Sequence, residues 1–197
     1  TSIIADNIIS TSLISTETCV VCFTESKEET KHDMIRLDLS NSIRSSFEIF
    51  LSSKNFIGEN GSFCNMCSTL QDSERTIRFS NCGSILIFHL IRYVDFNGKI
   101  SKDNRKVNIF SENLTVPVKV DDVVTLNKSF KLRATINHSG TLNAGHYWAF
   151  IKDRSTDSWL KCNDQSVLKV SFSDLSNDTS YILVYASFKS CLVFLSL

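Results

Sequence analysis

Ile136-Asn-His-Ser-Gly-Thr-Leu-Asn-Ala-Gly-His-Tyr-Trp-Ala-Phe-Ile151 consists of two strand-like segments that flank a short loop. The chain has six glycines, and two of them, Gly140 and Gly145, bracket this loop. Glycine allows backbone conformations and close approaches that other residues resist, so a loop hinged in this way can fit against an extended ligand. The segment therefore predicts a hairpin whose loop carries a candidate site beside His138 and His146.

The residues that follow this hairpin bring a candidate partner to His146. Trp159-Leu-Lys-Cys-Asn163-Asp164 comes after a polar stretch, 153–157, which suits a turn. If the strands on either side of that turn pair, His146 and Asn163 lie at the same end of the pair, on neighbouring strands about 5 Å apart. An amide beside an imidazole fixes the tautomer of a general-base histidine, as in Cys-His-Asn proteases.

Other interpretations of these residues stay open at this point. A histidine at the start of a strand is more often a surface or core residue than a catalyst, and Asn-Asp is common turn chemistry. A metal site formed by His138, His146 and Cys162 is a third interpretation, which no ligand-pair motif supports. The geometry of the folded chain has to decide among them.

Nearer the N-terminus, two Cys-x-x-Cys pairs predict a metal site. Cys19-Val-Val-Cys22 and Cys64-Asn-Met-Cys67 each place two thiols at a turn, where both can reach one tetrahedral ion. Zinc favours four such thiolates in a closed, structural site. Redox pairs, two disulfides and coincidence are the alternatives. We expect structural Zn²⁺ bound by all four cysteines, with the long segment between the pairs folded so that its ends meet.

The composition narrows the class of protein. The 197 residues are 42% hydrophobic, enough for one globular domain, and 21 Lys and Arg balance 21 Asp and Glu. No net basic field therefore attracts nucleic acid or anionic lipid, and no apolar run is long enough for a bilayer helix. Seven cysteines, four of them in pairs, suit metal binding in a reducing compartment. We expect a cytoplasmic or nuclear protein without nucleic-acid or membrane partners.

Hydrophobic periodicity predicts an α+β protein dominated by an antiparallel sheet. Ser40-Asn-Ser42 offers capping side chains, and the apolar stripe that follows, from Ile43 to Leu51, predicts one amphipathic helix. Ile85–Ile91 is a nearly continuous apolar run, as expected for a central strand buried on both faces. The segment 95–105 is expected to be a polar connection. Shorter alternating segments predict further strands at 34–39, 76–79, 115–120, 130–136, 167–170 and 181–186.

Together these segments resemble the ubiquitin-specific protease family along nearly the whole chain. The two cysteine pairs match its zinc-binding fingers, and Ile85–Ile91 with Arg92-Tyr93 matches a buried strand. His138-Ser-Gly140 and Gly145-His-Tyr-Trp-Ala149 match its loop and catalytic-histidine box. Trp159-x-x-x-Asn163-Asp164-x-x-Val167 matches the segment that supplies the third catalytic residue, and Tyr181-Ile-Leu-Val-Tyr185 the closing strand.

The resemblance implies a papain-like cysteine protease palm, built on a long antiparallel sheet, with a zinc-binding fingers extension. It makes His146 the general base, Asn163 its orienting partner and Asp164 a second polar partner. The implied reaction is hydrolysis of the isopeptide bond between the ubiquitin C-terminus and a ubiquitinated protein, through an acyl-enzyme thioester. The residues implied to contact the ubiquitin tail are His138, Ser139, Gly140, Gly145 and Tyr147.

The resemblance also divides the chain and reveals a departure from the family. Residues 1–197 correspond to a partial catalytic domain, with fingers and an inserted helix at about 15–80, a palm at about 81–187 and an apolar tail at 188–197. The family's nucleophilic cysteine belongs to an N-terminal thumb, and its cysteine box does not occur before Cys19. We therefore expect this chain to need an upstream thumb segment and to be inactive alone. A catalytically dead ubiquitin-binding or scaffold protein, and a protease for a ubiquitin-like modifier, are the alternatives.

Overall fold

The computed structural model describes residues 8–120, 125–141, 144–177 and 179–187. The predicted apolar tail, 188–197, lies outside the described residues, and so does Cys191. No helix in the described part of the chain is long and apolar enough to cross a membrane.

Strands dominate the described chain, as the alternating segments predict. The helix α1 spans Ile43–Leu51, and short 3₁₀ helices lie at Gly58–Asn60 and Phe172–Asn177. The strands are β1 (Thr11–Cys19), β2 (Glu25–His32), β3 (Ile35–Asp38), β4 (Lys54–Phe56), β5 (Ser62–Cys64), β6 (Thr69–Gln71), β7 (Ser73–Asn81), β8 (Ile85–Ile91), β9 (Tyr93–Phe96), β10 (Lys99–Lys102), β11 (Asn113–Lys119), β12 (Thr125–Gly140), β13 (Gly145–Lys152), β14 (Trp159–Asn163), β15 (Ser166–Val170) and β16 (Ser180–Ser187).

One large sheet connects the first cysteine pair, at the end of β1, to the histidine hairpin. Twelve strands belong to it, and its main path runs β15-β14-β13-β12-β11-β7-β1-β2. A branch leaves β12 through β16 to β8 and then β3. The hairpins β5–β6 and β9–β10 are separate two-stranded sheets. The branch at β12 matters for the site, because this long strand pairs with β11 and then β13 along one edge and with β16 along the other.

The predicted helix is confirmed, together with its cap. Ser42 is the N-cap residue, and its Oγ accepts a hydrogen bond from the Ser45 amide at 3.0 Å. On the apolar face, the Phe47 ring packs 5.9 Å from that of Phe79 and 5.6 Å from that of Phe88. The helix that lies between the cysteine pairs in sequence therefore packs on β7 and β8, in the core of the large sheet.

The predicted central strand β8 is confirmed, with a difference in burial. It lies between β16, which is antiparallel, and β3, which is parallel. Leu86, Phe88 and Leu90 are fully buried, whereas the residues between them are only partly buried. The continuous apolar run therefore forms a strand with one core face and one half-covered face, and His89 on the latter contacts the ring of Tyr181 at 4.6 Å.

Part of the expected polar connection at 95–105 is a hairpin. The strands β9 and β10 pair around a turn formed by Asn97 and Gly98, whose φ angles are 53° and 77°. Two consecutive positive φ values define the tight hairpin turn for which Asn-Gly is the preferred sequence. The Asn-Gly dipeptide is the sequence signal for this hairpin. Hydrophobic periodicity does not reveal it, because its described side chains are exposed or half-buried and leave no alternating pattern.

Candidate active site and metal centre

The histidine segment folds into a hairpin with a narrow tip. In β12 and β13 Ser139 pairs with His146, and Gly140 pairs with Gly145. The amide of Thr141 donates to the carbonyl of Ala144 at 2.8 Å, which continues the backbone pairing beyond the two glycines. Gly140 has a φ of +105°, a conformation that residues with a Cβ rarely adopt. The hairpin therefore needs glycine at this position, as its sequence suggested.

The second glycine permits a close approach between the two strands. A Cβ atom on Gly145 would overlap Nε2 of His138 and would lie 2.6 Å from the carbonyl oxygen of Ser139. Both neighbours are fixed, because one is in a buried ring and the other is backbone. Any larger side chain at Gly145 must therefore displace β12 or β13, and with it the adjacent His146.

His138 is a buried residue of this site. Its side chain is 4% exposed, and its ring stacks on that of Tyr147, with the centroids 4.3 Å apart. The ammonium of Lys102, at the end of β10, donates to Nδ1 of His138 at 2.8 Å and to its carbonyl oxygen at 2.6 Å. Burial, and then the nearby Lys102 charge, lower the pKa of His138. Lys102 was not identified from the sequence, because a lysine in a polar segment carries no distinguishing pattern.

His146 lies against Asn163. The two side chains meet through His146 Nε2 and Asn163 Oδ1, which are 2.5 Å apart. An amide oxygen can only accept, so Nε2 carries the proton and Nδ1 keeps its lone pair. The His146 ring also stacks on Trp148, with the centroids 6.0 Å apart. The result is an exposed imidazole in a defined tautomer, whose basic nitrogen is not the one that contacts Asn163.

Asp164 follows Asn163 in a tight turn. Asn163 pairs with Ser166 across β14 and β15, and Asp164 has a φ of 51°, a conformation that aspartate tolerates better than most residues. The Asp164 side chain is exposed and makes no hydrogen bond to another described residue. In the folded chain Asn163, rather than Asp164, is the residue in contact with His146.

The contact between His146 and Asn163 does not arise from direct strand pairing. The ladder of β13 and β14 pairs Lys152 with Trp159 and ends where Ala149 pairs with Cys162. Neither His146 nor Asn163 belongs to a cross-strand pair of this ladder. The expectation that the two residues lie opposite each other on paired strands is therefore corrected: their side chains meet beyond the end of the β13–β14 ladder.

The two cysteine pairs meet at one point. One ligand atom from each of Cys19, Cys22, Cys64 and Cys67 lies within 4.8 Å of the other three. The Sγ atoms of Cys22 and Cys64 are 3.4 Å apart, near the ~3.8 Å edge of a tetrahedron built with zinc–sulfur bonds of about 2.3 Å. The six described cysteines are free thiols, so the pairs are not disulfides. Four thiols converging in this way form a structural Zn²⁺ site.

The loops that carry these thiols have the same local form. In each, the residue after the second cysteine adopts a left-handed conformation: Phe23 has a φ of 58° and Ser68 a φ of 55°. A hydrogen bond to the Thr24 hydroxyl is the main cause that lowers the pKa of Cys22 to about 6. The hydrogen bond with Cys22 is the main cause that raises the pKa of Cys67 to about 12. Clustered thiols cannot all ionise unless a cation is among them, and Zn²⁺ supplies that charge.

The remaining described cysteines, Cys82 and Cys162, are poor candidates for a nucleophile activated by His146. Cys82 is 3% exposed, and burial raises the pKa of its thiol to about 12, which makes it a poor nucleophile. Cys162 lies in β14 between Ala149 and Val167. Within the part of the chain that the structure describes, no thiol hydrogen-bonds to the imidazole of His146.

Comparison with known proteins gives the class of the molecule. The SAGA Ubp8/Sgf11/Sus1/Sgf73 DUB module bound to ubiquitin aldehyde matches with a TM-score of 0.81 at 20% identity, over 95% of this chain and 43% of that chain. A second structure of this module, bound to monoubiquitin, matches with a TM-score of 0.80 at 22% identity, over 95% of this chain and 42% of that chain. At such identities the likeness concerns the fold alone, and this chain has the fold of a little under half of the matched chain of that DUB module.

Sequence comparison gives the family. A family model described as ubiquitin carboxyl-terminal hydrolase matches residues 1–185. Ubiquitin carboxyl-terminal hydrolase 51 of Mus musculus is 28% identical over 141 residues, 62% of this chain and 20% of its own length. Ubiquitin carboxyl-terminal hydrolase 21 of Rattus norvegicus is 28% identical over 144 residues, 73% of this chain and 25% of its own length. The chain belongs to the ubiquitin-specific protease family, and it spans a fifth to a quarter of the length of these relatives.

Proposed function

We propose that this chain supplies the general base and the zinc-binding fingers of a cysteine deubiquitinase that hydrolyses isopeptide bonds at the ubiquitin C-terminus. The observation that carries the proposal is the contact of His146 Nε2 with Asn163 Oδ1 at 2.5 Å. It fixes the imidazole in the tautomer that a thiol nucleophile requires, within a chain whose family is ubiquitin carboxyl-terminal hydrolase.

In the proposed reaction, Nδ1 of His146 takes the proton from a cysteine thiol supplied by an upstream thumb segment. The thiolate attacks the carbonyl carbon at the ubiquitin C-terminus, and the imidazolium returns the proton to the departing lysine amine. A thioester forms as the isopeptide bond breaks. His146 then removes a proton from water, which attacks the thioester and releases the ubiquitin carboxylate and the thiol. Asn163 orients the ring in each step, and exposed Asp164 is a second polar partner that can assist.

The proposed binding surface for the ubiquitin tail surrounds the hairpin tip. Tyr147 is 55% exposed, and the backbone of Ser139, Gly140 and Gly145 forms the narrow end of β12 and β13. Bare glycine backbone lets an extended peptide approach closely. His138 is buried beneath Tyr147, so its part in this surface is to support that ring.

The division into subdomains follows the cysteines and the histidine hairpin. We assign the zinc-bearing region, within about 15–80, to fingers that grip the globular part of ubiquitin, and the sheet at about 81–187 to a palm that carries the site. The strand β3 and the helix α1 fall within the fingers range by sequence, yet they pack on the palm strand β8 and its neighbours. Free thiols in the described chain suit the reducing environment of the cytoplasm or nucleus.

The test uses the protein expressed from its full natural reading frame, incubated with ubiquitin that carries a C-terminal electrophile and with fluorogenic ubiquitin. Covalent labelling and turnover, both lost in His146→Ala, are the expected results. Ubiquitin binding without labelling or turnover would make the protein a binding or scaffold protein. Labelling only by a probe based on a ubiquitin-like modifier would reject ubiquitin as the substrate.

A further inference from the structure

The tip of β12 extends past the strand that supports it. On the edge of β12 opposite β13, the pairing with β16 ends at Asn137 and Ser180. One backbone bond continues beyond it, from the His138 amide to the Thr179 carbonyl at 3.4 Å. The last residues of β12, His138–Gly140, therefore rely on other contacts to keep their place, although they pair with the segment that contains His146.

Beyond the end of β16, side chains supply the hydrogen bonds that hold the backbone of β12. The carbonyl oxygen of His138 accepts from Lys102 Nζ at 2.6 Å and from the Thr179 hydroxyl at 2.9 Å. Lys102 Nζ is also 2.8 Å from Nδ1 of the same histidine. An ammonium has donors only, so Nδ1 accepts and a neutral His138 carries its proton on Nε2. Lys102 and Thr179 thus hold the backbone of His138 together, and Lys102 also sets the ring orientation and the tautomer of this histidine.

The fixed ring of His138 transmits this position to the other strand. It stacks on Tyr147 and fills the space beside Gly145, the residues on either side of His146. If the His138 ring moves, both neighbours of His146 lose the surface that they pack against. The contact between His146 and Asn163 depends on side-chain geometry at the end of a ladder, so it is sensitive to such a movement.

The segment directly after Lys102 is held by a buried guanidinium. Arg92, which is 0% exposed, donates from Nη1 to the carbonyl oxygens of Asp103 and Arg105 at 2.9 and 2.8 Å. The Nε atom of Arg92 donates to the carbonyl of Ser180 at 2.8 Å, and the carbonyl of Arg92 accepts from the Asp103 amide at 2.7 Å. Arg92 thereby ties the segment directly after Lys102 to the start of β16. The backbone next to Lys102 is therefore fixed by hydrogen bonds to a charged group, which distinguishes Lys102 from a lysine in an unconstrained surface loop.

We propose that Lys102 is a positioning residue for the catalytic hairpin: through its two contacts with His138 it sets the place of Gly145 and Tyr147 and hence of His146. The consequence for catalysis rests on the proposed function, since it requires His146 to act as the base. The effect of Lys102 on the position of the hairpin does not depend on whether the protein is catalytically active.

The first measurement is hydrogen exchange on the full-length protein, for wild type, Lys102→Met and Lys99→Met. Methionine keeps most of the lysine stem and removes every donor, and Lys99 is an exposed lysine of the same strand. Amides of residues 144–148 should exchange about tenfold faster in Lys102→Met, and at the wild-type rate in Lys99→Met. If Lys102→Met does not fold, Lys102→Gln, which keeps one donor group, should show a smaller increase. Wild-type exchange in the folded Lys102 variant overturns the proposal.

The second measurement is turnover of fluorogenic ubiquitin by the same proteins. We expect kcat to fall about tenfold in Lys102→Met with KM changed less than about threefold, because the base is displaced while most of the ubiquitin contact remains. Faster exchange with unchanged kcat would overturn the link to His146. If wild type has no activity, the proposed function fails, and the exchange result alone supports or overturns the hold of Lys102 on the hairpin.

Discussion

The Nε2 atom of His146 lies 2.5 Å from Oδ1 of Asn163, although β13 and β14 stop pairing before either residue is reached. Backbone hydrogen bonds therefore bring the two residues to the same end of the sheet, but only their side chains complete the contact. Such a contact is lost by small changes that leave the sheet intact, and this makes its function testable by substitution.

Removing the Asn163 amide should weaken catalysis without unfolding the protein. In the full-length enzyme, Asn163→Ala should lower kcat for fluorogenic ubiquitin by about 10- to 100-fold, because His146 loses the acceptor that fixes its tautomer. Asn163→Asp keeps an oxygen acceptor and should retain more activity, and Asn113→Ala, an exposed asparagine of β11, serves as the control. A larger loss in Asp164→Ala than in Asn163→Ala would transfer the orienting role to Asp164.

A side chain at Gly145 should disturb the site through steric overlap. Gly145→Ala brings a Cβ against His138 Nε2 and the Ser139 carbonyl, so we expect a destabilisation of about 1–3 kcal/mol and a large loss of kcat. The control is Gly58→Ala, where φ is +61° and no atom lies within 4 Å of the added Cβ, so only the backbone cost of about 1 kcal/mol applies. Chemical denaturation and turnover measure the two effects. Equal activity in both variants would contradict the close packing of the hairpin.

The zinc site should stabilise the region around the cysteine pairs more than the palm. Elemental analysis of purified protein should find about one zinc per chain, and Cys64→Ser should abolish it. Strong chelation should then accelerate hydrogen exchange at the Cys19 end of β1 and in β5 and β6. The strands β12 and β16 should stay protected, because both contribute residues to the hydrophobic core, whereas β5 and β6 contribute none. Cys82→Ser removes a buried thiol outside the site and should leave the zinc content unchanged. Purified protein without zinc would contradict the assignment.

Glu112 should make the palm sensitive to acid. It accepts from the Trp159 indole at 2.7 Å and from Lys152 at 3.0 Å, and it lies 3.3 Å from Lys131. Burial acts to raise the pKa of the Glu112 carboxyl, but these three partners together lower it below its ordinary value of 4.5. The lowered pKa means that the stabilisation is present above about pH 4.5 and is lost as the pH falls through the folded-state pKa.

The corresponding variant is Glu112→Gln, which leaves the buried Lys152 without its half-buried carboxylate partner. We expect a loss of about 1–3 kcal/mol in the free energy of unfolding at pH 7 and a weaker fall in stability on acidification. Glu48→Gln removes an exposed carboxylate paired with Arg44 on α1 and should cost less than about 0.5 kcal/mol. Urea denaturation from pH 7 to pH 4 measures both. The prediction is contradicted if the free energy of unfolding falls equally steeply with decreasing pH in wild type and in Glu112→Gln.

Local patterns determined most of the secondary structure. The cap at Ser42 and the stripe after it gave the helix, and alternating residues gave the strands that border the core, because burial on one face leaves a periodic record in the sequence. The strand β1 and the hairpin β9–β10 left no such record: β1 is mostly polar, and most described side chains of the hairpin are exposed or half-buried. Periodicity cannot reveal strands that are held mainly by backbone pairing.

The sequence alone determined the chemistry of this protein, since two cysteine pairs, two hinge glycines and a histidine followed by Asn-Asp carry their chemical character in any fold. Spacing also predicted that the four cysteines converge and that His146 lies near Asn163, but the tertiary structure decided the distances and the remaining contacts. It brought four thiols within 4.8 Å, selected Asn163 over Asp164 as the partner of His146, and placed Lys102 on His138. These are contacts between residues far apart in the chain or beyond the end of a ladder. Their distances depend on how strands and side chains pack in three dimensions, and residue spacing does not encode that.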